Sequence, residues 1–290
     1  CLYCDTIIGL IERDKAYSNI TVDAVLNENE ATSAPFVCAL VYGVLERKIT
    51  IDYILSKFLN QPIKKLNPQV LTLLRMGVYQ IKYMDKVPES AAVNESVKLS
   101  KKVKCAFASG LINSVLRKVS TVEVSLPETD NKIYDLSIKY SCPEQLVEHY
   151  VNDYGYIDAE KILESSIGSV PTFVRVNNLK ITADELNSQL ENENVFSKKV
   201  ENNENSLELI SGAAFKTECY KKGYFHAQDL ASQTCIDCLN PQENDIVFDL
   251  CAAPGGKSVQ ILEKLNHTGL LVSNEIVYNR SKILYENLSR

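Results

Sequence analysis

The sequence lacks any apolar run long enough to cross a bilayer. The longest nearly unbroken one, Ala34 to Leu45, is 12 residues, and a spanning helix needs about 20. No basic stretch followed by an apolar one opens the chain, so no export signal is visible, although the first residue is Cys1 rather than Met. There is no tryptophan and there are three histidines, too few to supply a histidine-rich metal site. No repeat of solenoid period is present. These absences exclude a membrane-spanning helical protein, collagen, a coiled coil and a repeat array.

The 290 residues exceed one average domain and predict two or three. With 45% hydrophobic and 23% charged residues the chain has the composition of a folded protein. Nine cysteines are an odd number in a long chain, and several fall inside apolar helical patterns. A free thiol there behaves as a small hydrophobe, so a reducing, cytoplasmic setting is expected rather than a disulfide framework. Cys1-x-x-Cys4 and Cys235-x-x-Cys238 have the spacing of zinc half-sites, but they lie about 230 residues apart and no metal is expected. The net charge of -6 is unevenly spread: residues 1–125 carry 16 basic and 12 acidic side chains, the remainder 15 and 25. Between positions 98 and 118 stand Lys98, Lys101, Lys102, Lys104, Arg117 and Lys118 with no acid among them. Such a patch on an acidic protein is a candidate phosphate-contacting surface, although a solvated helix face is the commoner fate of a charge run.

Residues 1–124 read as helix after helix. Ser33 is placed to cap one helix, Thr50 to open the next, and Asn67-Pro68 is a strong start signal because Pro at the first helical position gives up an amide that would be unpaired. Leu71, Leu74, Val78 and Ile81 form the apolar set of that helix, and Arg75 beside them is expected to pin a helix pair. Pro88-Glu89 starts another helix and Ala108 to Val119 the last. Residues 121–132 have linker composition. In 125–222 two helices (143–153 and 157–166) precede a strand at Thr172 to Val176, a helix capped by Thr182, and strands near Phe196 and at Leu207 to Ile210. That mixture predicts a small ferredoxin-like α+β layer. Tyr140 and His149 read as packing residues. In 223–290 a helix at Ala231 to Leu239 leads to a buried strand, Asp245 to Leu250, a small-residue loop, a helix, a strand at Leu270 to Ser273 and a final helix. This is the opening of a Rossmann-like doubly wound sheet, and with two strands the chain is expected to stop inside that domain.

The run Asp249-Leu-Cys-Ala-Ala-Pro-Gly-Gly-Lys257 joins a strand end to a helix start, which brings backbone amides close to a ligand. Gly256-Lys257-Ser258 supplies the end of a phosphate-binding loop, but its first Gly would fall at Cys251. A dinucleotide fingerprint fails because Gly255 and Gly256 are the only glycines in the run. An S-adenosylmethionine (AdoMet) site fits better. Glu275 lies 24 residues after Cys251, close to the spacing of a sugar-binding carboxylate. Its bland alternative is a surface Glu at a strand end. Lys257, a cation at a helix N-terminus where it is electrostatically unwelcome, hints at a ligand carboxylate. Gln228 and Asp229 are possible shapers of the same pocket.

The segment CAAPGGK, with Asp249 before it and Glu275 after it, resembles the AdoMet loop of RNA cytosine-C5 methyltransferases. GYFHAQDLASQ (223–233), YSCPEQLVEHYVNDYG and FVRVNNLKIT resemble the stretch before the catalytic domain and the small RNA-binding domain of the same family. LLRMGVYQIKYMDKVPESAAVNESVKLSK and GLINSVLRK resemble the antitermination factor N-utilisation substance B. Together they resemble the bacterial 16S ribosomal RNA cytosine-C5 methyltransferases with a fused antiterminator-like domain. The resemblance implies AdoMet as cofactor, held by Cys251, Ala252, Ala253, Pro254, Gly255, Gly256, Lys257 and Glu275. It implies 16S ribosomal RNA as partner, on the basic residues of the helical domain, and a monomer. The family's mechanism uses a cysteine thiolate that adds to C6 of cytosine, because C5 is otherwise a poor nucleophile. Its two cysteines lie in later motifs preceded by Pro or Thr. The only Thr-Cys pair here, Thr234-Cys235, is upstream of the loop, so no catalytic residue carries over. The nucleophile is expected beyond Arg290, and the chain alone is expected to be inactive. The alternative is a non-enzymatic RNA-binding or antitermination factor with a vestigial cofactor loop.

Overall fold

The computed structural model describes residues 2–14, 18–28, 33–168 and 170–290, without the side chains at 13, 14, 19, 20, 23, 27 and 28. The chain divides into two compact units, Cys1–Gly168 and Ser169–Arg290.

The first unit is helical: α1 (Leu2–Asp14), α2 (Ser18–Glu28), α3 (Ala34–Glu46), α4 (Lys48–Ser56), α5 (Pro68–Tyr83), α6 (Glu89–Lys102), α7 (Ser109–Thr121), α8 (Lys132–Tyr140) and α9 (Glu144–Ser165). Helix α5 starts as its sequence dictates. The Asn67 side-chain oxygen accepts hydrogen bonds from the amides of Gln69 (2.9 Å) and Val70 (3.3 Å), and Pro68 fills the first helical position. Its Leu73, Leu74, Met76 and Val78 are buried in one core with Ile7 and Ile8 of α1, Leu40 and Val44 of α3, Ile51 and Leu55 of α4, and Ile112 and Leu116 of α7. Gly43 and Gly77 let helices approach: a Cβ at Gly43 would overlap the Tyr79 ring, and one at Gly77 the Leu116 side chain. Arg75 is buried at the junction of three helices. Its Nε and Nη2 each lie 2.7 Å from the Asp52 carboxylate, and its Nη1 lies 2.7–2.8 Å from both oxygens of Glu12. It pins α1 and α4 to α5, as a donor-only guanidinium between two carboxylates should.

Several local expectations are corrected. Ser33 makes no side-chain cap. Thr50 lies inside α4 rather than at its start. Its hydroxyl is buried and donates to the carbonyl of Ile138 (2.5 Å), while the Ile49 amide donates to the Ser141 hydroxyl (3.0 Å). These bonds staple α4 to α8, a helix the sequence reading did not mark. Asn131 caps α8 by accepting from the Tyr134 amide (3.1 Å). Helix α9 is broken at Gly155, whose φ of 76° is outside the helical region, so two helical segments stand where two were expected. Tyr140 packs beside Leu136, Val147 and Leu163. His149 does not pack: its side chain is 68% exposed and faces Asp153 at 3.4 Å.

The second unit contains β1 (Thr172–Val176), α10 (Ala183–Asn192), β2 (Phe196–Val200), β3 (Asn203–Ser211), α11 (Glu218–Lys221), β4 (Phe225–Ala227), α12 (Leu230–Leu239), β5 (Ile246–Asp249), α13 (Gly256–Lys264), β6 (Leu270–Ser273) and α14 (Tyr278–Ser289). Strands β1 to β4 form an antiparallel ferredoxin-like sheet in the order β2-β3-β1-β4. Thr182 and Glu185 close a capping box at the start of α10. Val174 and Val176 of β1, with their cross-strand partners Leu207 and Phe225, bury one face against Leu186 and Leu190 of α10. Side chains alternate along a strand, so Arg175 points to the other face, where its register partners are Ser206 and His226. All three are buried. Strand β4 belongs to this sheet, although the sequence division at 222/223 groups it with the loop that follows.

Strands β5 and β6 pair in parallel. Val247 and Leu271 pack on Ile236, Ile261 and Leu265, one face of the pair. Alternate residues turn away: Ile246, Phe248 and Leu250 are exposed, Phe248 at 63%. The expected buried strand is therefore buried on one side only, because α12 and α13 cover one side of it. Among the described residues no helix is long and apolar enough to cross a membrane.

Candidate cofactor site

The loop after β5 is built from backbone contacts. The amide of Asn274, just past β6, donates to the Asp249 carbonyl (2.8 Å), and the amide of Ala252 donates back to the Asn274 carbonyl (3.0 Å). The Asn274 side chain adds a bond to the Leu250 carbonyl (3.0 Å). From α14, Arg280 donates to the Ala253 carbonyl (2.9 Å) and Asn287 to the Pro254 carbonyl (2.7 Å). The loop thus turns around Ala252 and Ala253, both buried with Leu284. Gly255 takes a φ of 112°, a region closed to most L side chains. A Cβ there would also lie 3.1 Å from the Leu284 Cδ1. Gly256 then opens α13, whose first amides have no carbonyl four residues back to bond. The Ser258 hydroxyl donates to Asp249 Oδ2 (2.6 Å) and lies 3.3 Å from the Ser273 hydroxyl, tying the two strand ends to the helix start.

A cavity of about 220 Å³ opens here, lined by Cys251, Ala252, Ala253, Pro254, Gly256 and Lys257 from the loop and by Gln228 and Asp229 from the segment after β4. Its lining joins small residues of the loop to one thiol, one exposed lysine, the Gln228 amide and the Asp229 carboxylate. It is smaller than the roughly 300 Å³ at which small-molecule pockets begin, so it is suited to one end of an elongated ligand. The donor set fits the methionine end of AdoMet: the first turn of α13 and Lys257 for a carboxylate, Asp229 for an amino group. Gly255 is buried beneath the loop and acts through its backbone.

Glu275 is not among the residues that line the cavity. Its side chain is 4% exposed, accepts a hydrogen bond from the Val277 amide (2.9 Å) and lies 3.4 Å from Arg280. The strand-end turn, rather than solvent, holds its carboxylate. The features the sequence reading missed are polar: the Asp249–Ser258–Ser273 chain, the side chains of Asn274, Arg280 and Asn287 on loop carbonyls, and Arg175. An arginine between two valines of a buried strand was the one visible signal for the last.

The basic residues of the helical unit sit on the C-terminal part of α6, the turn after it, and α7. Lys101, Lys102, Lys104, Arg117 and Lys118 are exposed. Lys98 is paired with Glu95 at 2.7 Å, just outside the window that contains no acid, so it offers less free charge than its neighbours. Arg117 bonds Asn113 of its own helix (3.1 Å). Phe107, in the turn between α6 and α7, is exposed among them. Of the zinc-spaced cysteines, Cys1 lies outside the described residues, Cys4 is buried in the helical core, and Cys235 and Cys238 are exposed on α12.

Family models match three stretches of the chain: the NusB family over residues 6–121, an RsmF/B-like ferredoxin-like domain over 142–216, and the 16S rRNA methyltransferase RsmB/F family over 236–290. The three matches follow one another along the chain without overlap. It is 32% identical over 283 residues to the probable ribosomal RNA small subunit methyltransferase B of Bacillus subtilis, covering 97% of this chain and 63% of that protein. Against the protein of the same name from Synechocystis it is 29% identical over 274 residues, 93% of this chain and 61% of that one. The chain thus spans a little under two thirds of the length of these relatives. Among solved structures, PH0851 superposes with a TM-score of 0.75 at 20% identity, over 99% of this chain and 66% of that one. That likeness concerns the fold. The RsmB/F match begins inside α12 and contains the whole Cys251–Lys257 loop, Glu275 and α14, while the NusB match contains the basic patch.

Proposed function

We infer that this chain supplies the RNA-holding and cofactor-holding parts of an AdoMet-dependent methyltransferase that modifies C5 of a cytosine in 16S ribosomal RNA in the cytoplasm. The observation that carries the reading is the loop Cys251–Lys257. It is fixed by hydrogen bonds from Asn274 past β6 and from α14, and opens onto the cavity it shares with Gln228 and Asp229, inside the stretch that matches the RsmB/F family. AdoMet, when bound, supplies the methyl group. The first amides of α13 and Lys257 bind its carboxylate, and Asp229 takes its amino group. Glu275 accepts from the ribose hydroxyls, which requires its carboxylate to exchange Arg280 for the sugar. Cys251 lines the cavity as part of the cofactor wall and has no nucleophilic role in this reading. Lys101, Lys102, Lys104, Arg117 and Lys118, with a smaller share from Lys98, contact RNA phosphates. The family matches support this reading over a non-enzymatic RNA-binding factor.

Calorimetric titration of the purified chain with S-adenosylhomocysteine, and filter binding of a 16S rRNA fragment, test the two halves separately. Saturable binding of both is expected. Absence of nucleoside binding in the wild-type chain and in a Gly255→Ala control alike would overturn the cofactor half, and salt-independent RNA binding would overturn the other.

A further inference from the structure

The unused face of the ferredoxin-like sheet bears a buried polar row, and that row leads to the cofactor loop. Arg175 is 4% exposed. Its Nη1 and Nη2 pair with the two carboxylate oxygens of Glu263 on α13, and its Nε donates to the Gln228 side-chain oxygen (2.7 Å). The Gln228 side-chain nitrogen donates to the Gln260 oxygen (2.6 Å). The Gln260 nitrogen donates in turn to the Gln233 carbonyl and to Asp237, both at 3.2 Å. A return path closes the ring: the Gln233 side chain donates to the Gln228 carbonyl (3.0 Å) and accepts from the Ser206 hydroxyl (2.5 Å).

The direction of this chain is not free. A guanidinium carries donors only and a carboxylate acceptors only, whereas a glutamine amide can point either way. Arg175 at one end and Asp237 at the other therefore dictate which way both Gln228 and Gln260 face. Gln228 is the residue that matters for chemistry, because it lines the cavity with Gly256. A Cβ on Gly256 would lie 3.5 Å from the Gln228 Cγ, so the two form adjoining parts of one wall. Glu263 lies two turns along α13 from that wall, and its pairing with Arg175 fixes the helix against β1.

Stability alone does not explain the arrangement. A buried ion pair contributes little net stability compared with apolar residues of similar size, because both charges are stripped of water. What it adds is orientation, and a ligand site loses much of its value when its wall is misplaced by an ångström. We propose that Arg175 is a positioning residue of the cofactor site, acting through Gln228 and Glu263 to set the wall and helix start that face the ligand. The proposal rests on the cofactor reading above for its consequence, but its geometric content can be tested without ligand.

The experiment uses the whole chain and the variants R175K, which keeps the charge but not the fork, and E263Q. Hydrogen exchange of ligand-free protein is read over 251–262, over β1 and β3, and over α5 as an internal reference. Both variants are expected to raise exchange about tenfold in 251–262, leave α5 unchanged and leave most of the sheet protected. They should also weaken S-adenosylhomocysteine at least tenfold. Wild-type exchange in 251–262 would overturn the proposal, as would equal loss of protection across β1, β3 and the loop, which marks a merely structural pair. If the wild-type chain binds no S-adenosylhomocysteine, the cofactor reading fails while the exchange result still decides the positioning claim.

Discussion

The helical unit and the β5–α13–β6–α14 segment are held together by different physics. In the first, one continuous apolar core runs from α1 to α7, and its buried Arg75 is answered by two carboxylates. In the second, the apolar clusters are small, Ile236 with Ile261 and Leu265, and Ala252 with Ala253 and Leu284. There the loop geometry depends on directional hydrogen bonds to main-chain carbonyls. A packed core tolerates few changes of volume but is indifferent to the orientation of any one amide. A hydrogen-bonded loop is the reverse. The comparison teaches that the loop of the second can lose its geometry at little cost in stability, whereas the bundle cannot.

The largest effect that would break this comparison lies in the bundle. Arg75→Met takes from Asp52 its cation and leaves Glu12 with Lys48 alone (2.6 Å) at the same helix junction, and should cost about 3 kcal/mol in urea unfolding. A cost under about 1 kcal/mol would mean that the triad does not pin α1 and α4.

The next effect separates the units by pH. His226 is buried beside Arg175 and Arg290. Burial first, then those cations and Lys180, push its pKa down to about 3. In the unfolded chain it titrates near 6.5. The folded form therefore refuses a proton that the unfolded form accepts, and stability is lost progressively as pH falls from about 6.5 toward 3. The second unit should melt several degrees lower at pH 4.5 than at pH 7.5 in differential scanning calorimetry, and His226→Gln should flatten that slope. An equal slope in the variant would assign the acid sensitivity elsewhere.

Gly255→Ala sharpens the contrast between stability and function. At a φ of 112° and 3.1 Å from Leu284, the added methyl should cost about 1–2 kcal/mol locally. S-adenosylhomocysteine affinity should fall at least tenfold while the bundle's melting is unmoved. On the basic patch, the double change Lys101→Glu and Lys102→Glu should lower the salt slope of RNA binding by about 1.4, at roughly 0.7 per single-strand phosphate contact, with no measurable change in melting temperature. An unchanged slope would remove these lysines from the RNA surface.

The smallest effect runs opposite in sign to that of His226. Burial raises the pKa of Asp5, opposed by its bond from Gln69 (3.0 Å), and its Oδ1 has no partner among the described residues. A raised carboxylate pKa means that the stabilising contribution is present at acid pH and lost as pH rises through the folded value. Asp5→Asn should therefore stabilise the bundle at pH 7 by about 0.5–1 kcal/mol and do nothing at pH 3. A destabilisation at pH 7 would mean that the carboxylate is needed charged.

Much of this was legible in the sequence wherever the controlling interaction is local. Asn67-Pro68, the Thr182 cap, the bounds of β1 and β6 and the break near Gly155 are set by residues within four positions, and the structure reproduces them. Helix α8 was not marked because its one start signal, the Asn131 cap, stands among the polar residues of the linker, and its anchor, the Thr50 hydroxyl, lies 88 positions away. The loop itself was readable from Asp249 to Lys257, but not what holds it. Asn287 and Pro254 meet across 33 positions, and Gln228 and Gln260 across 32. The carboxylate proposed for the ribose was the least legible part: spacing placed Glu275 at the strand end, while its engagement by Val277 and Arg280 follows from the turn it sits in.

The most direct test of the central claim is a titration of the isotope-labelled chain with S-adenosylhomocysteine, followed through its backbone amide resonances. The account predicts saturable shifts confined to 249–258, Gln228, Asp229 and the turn at Glu275, with the resonances of α1 to α7 unmoved. Absence of any shift in 249–258 at saturating ligand, or shifts centred on the helical unit, would contradict it.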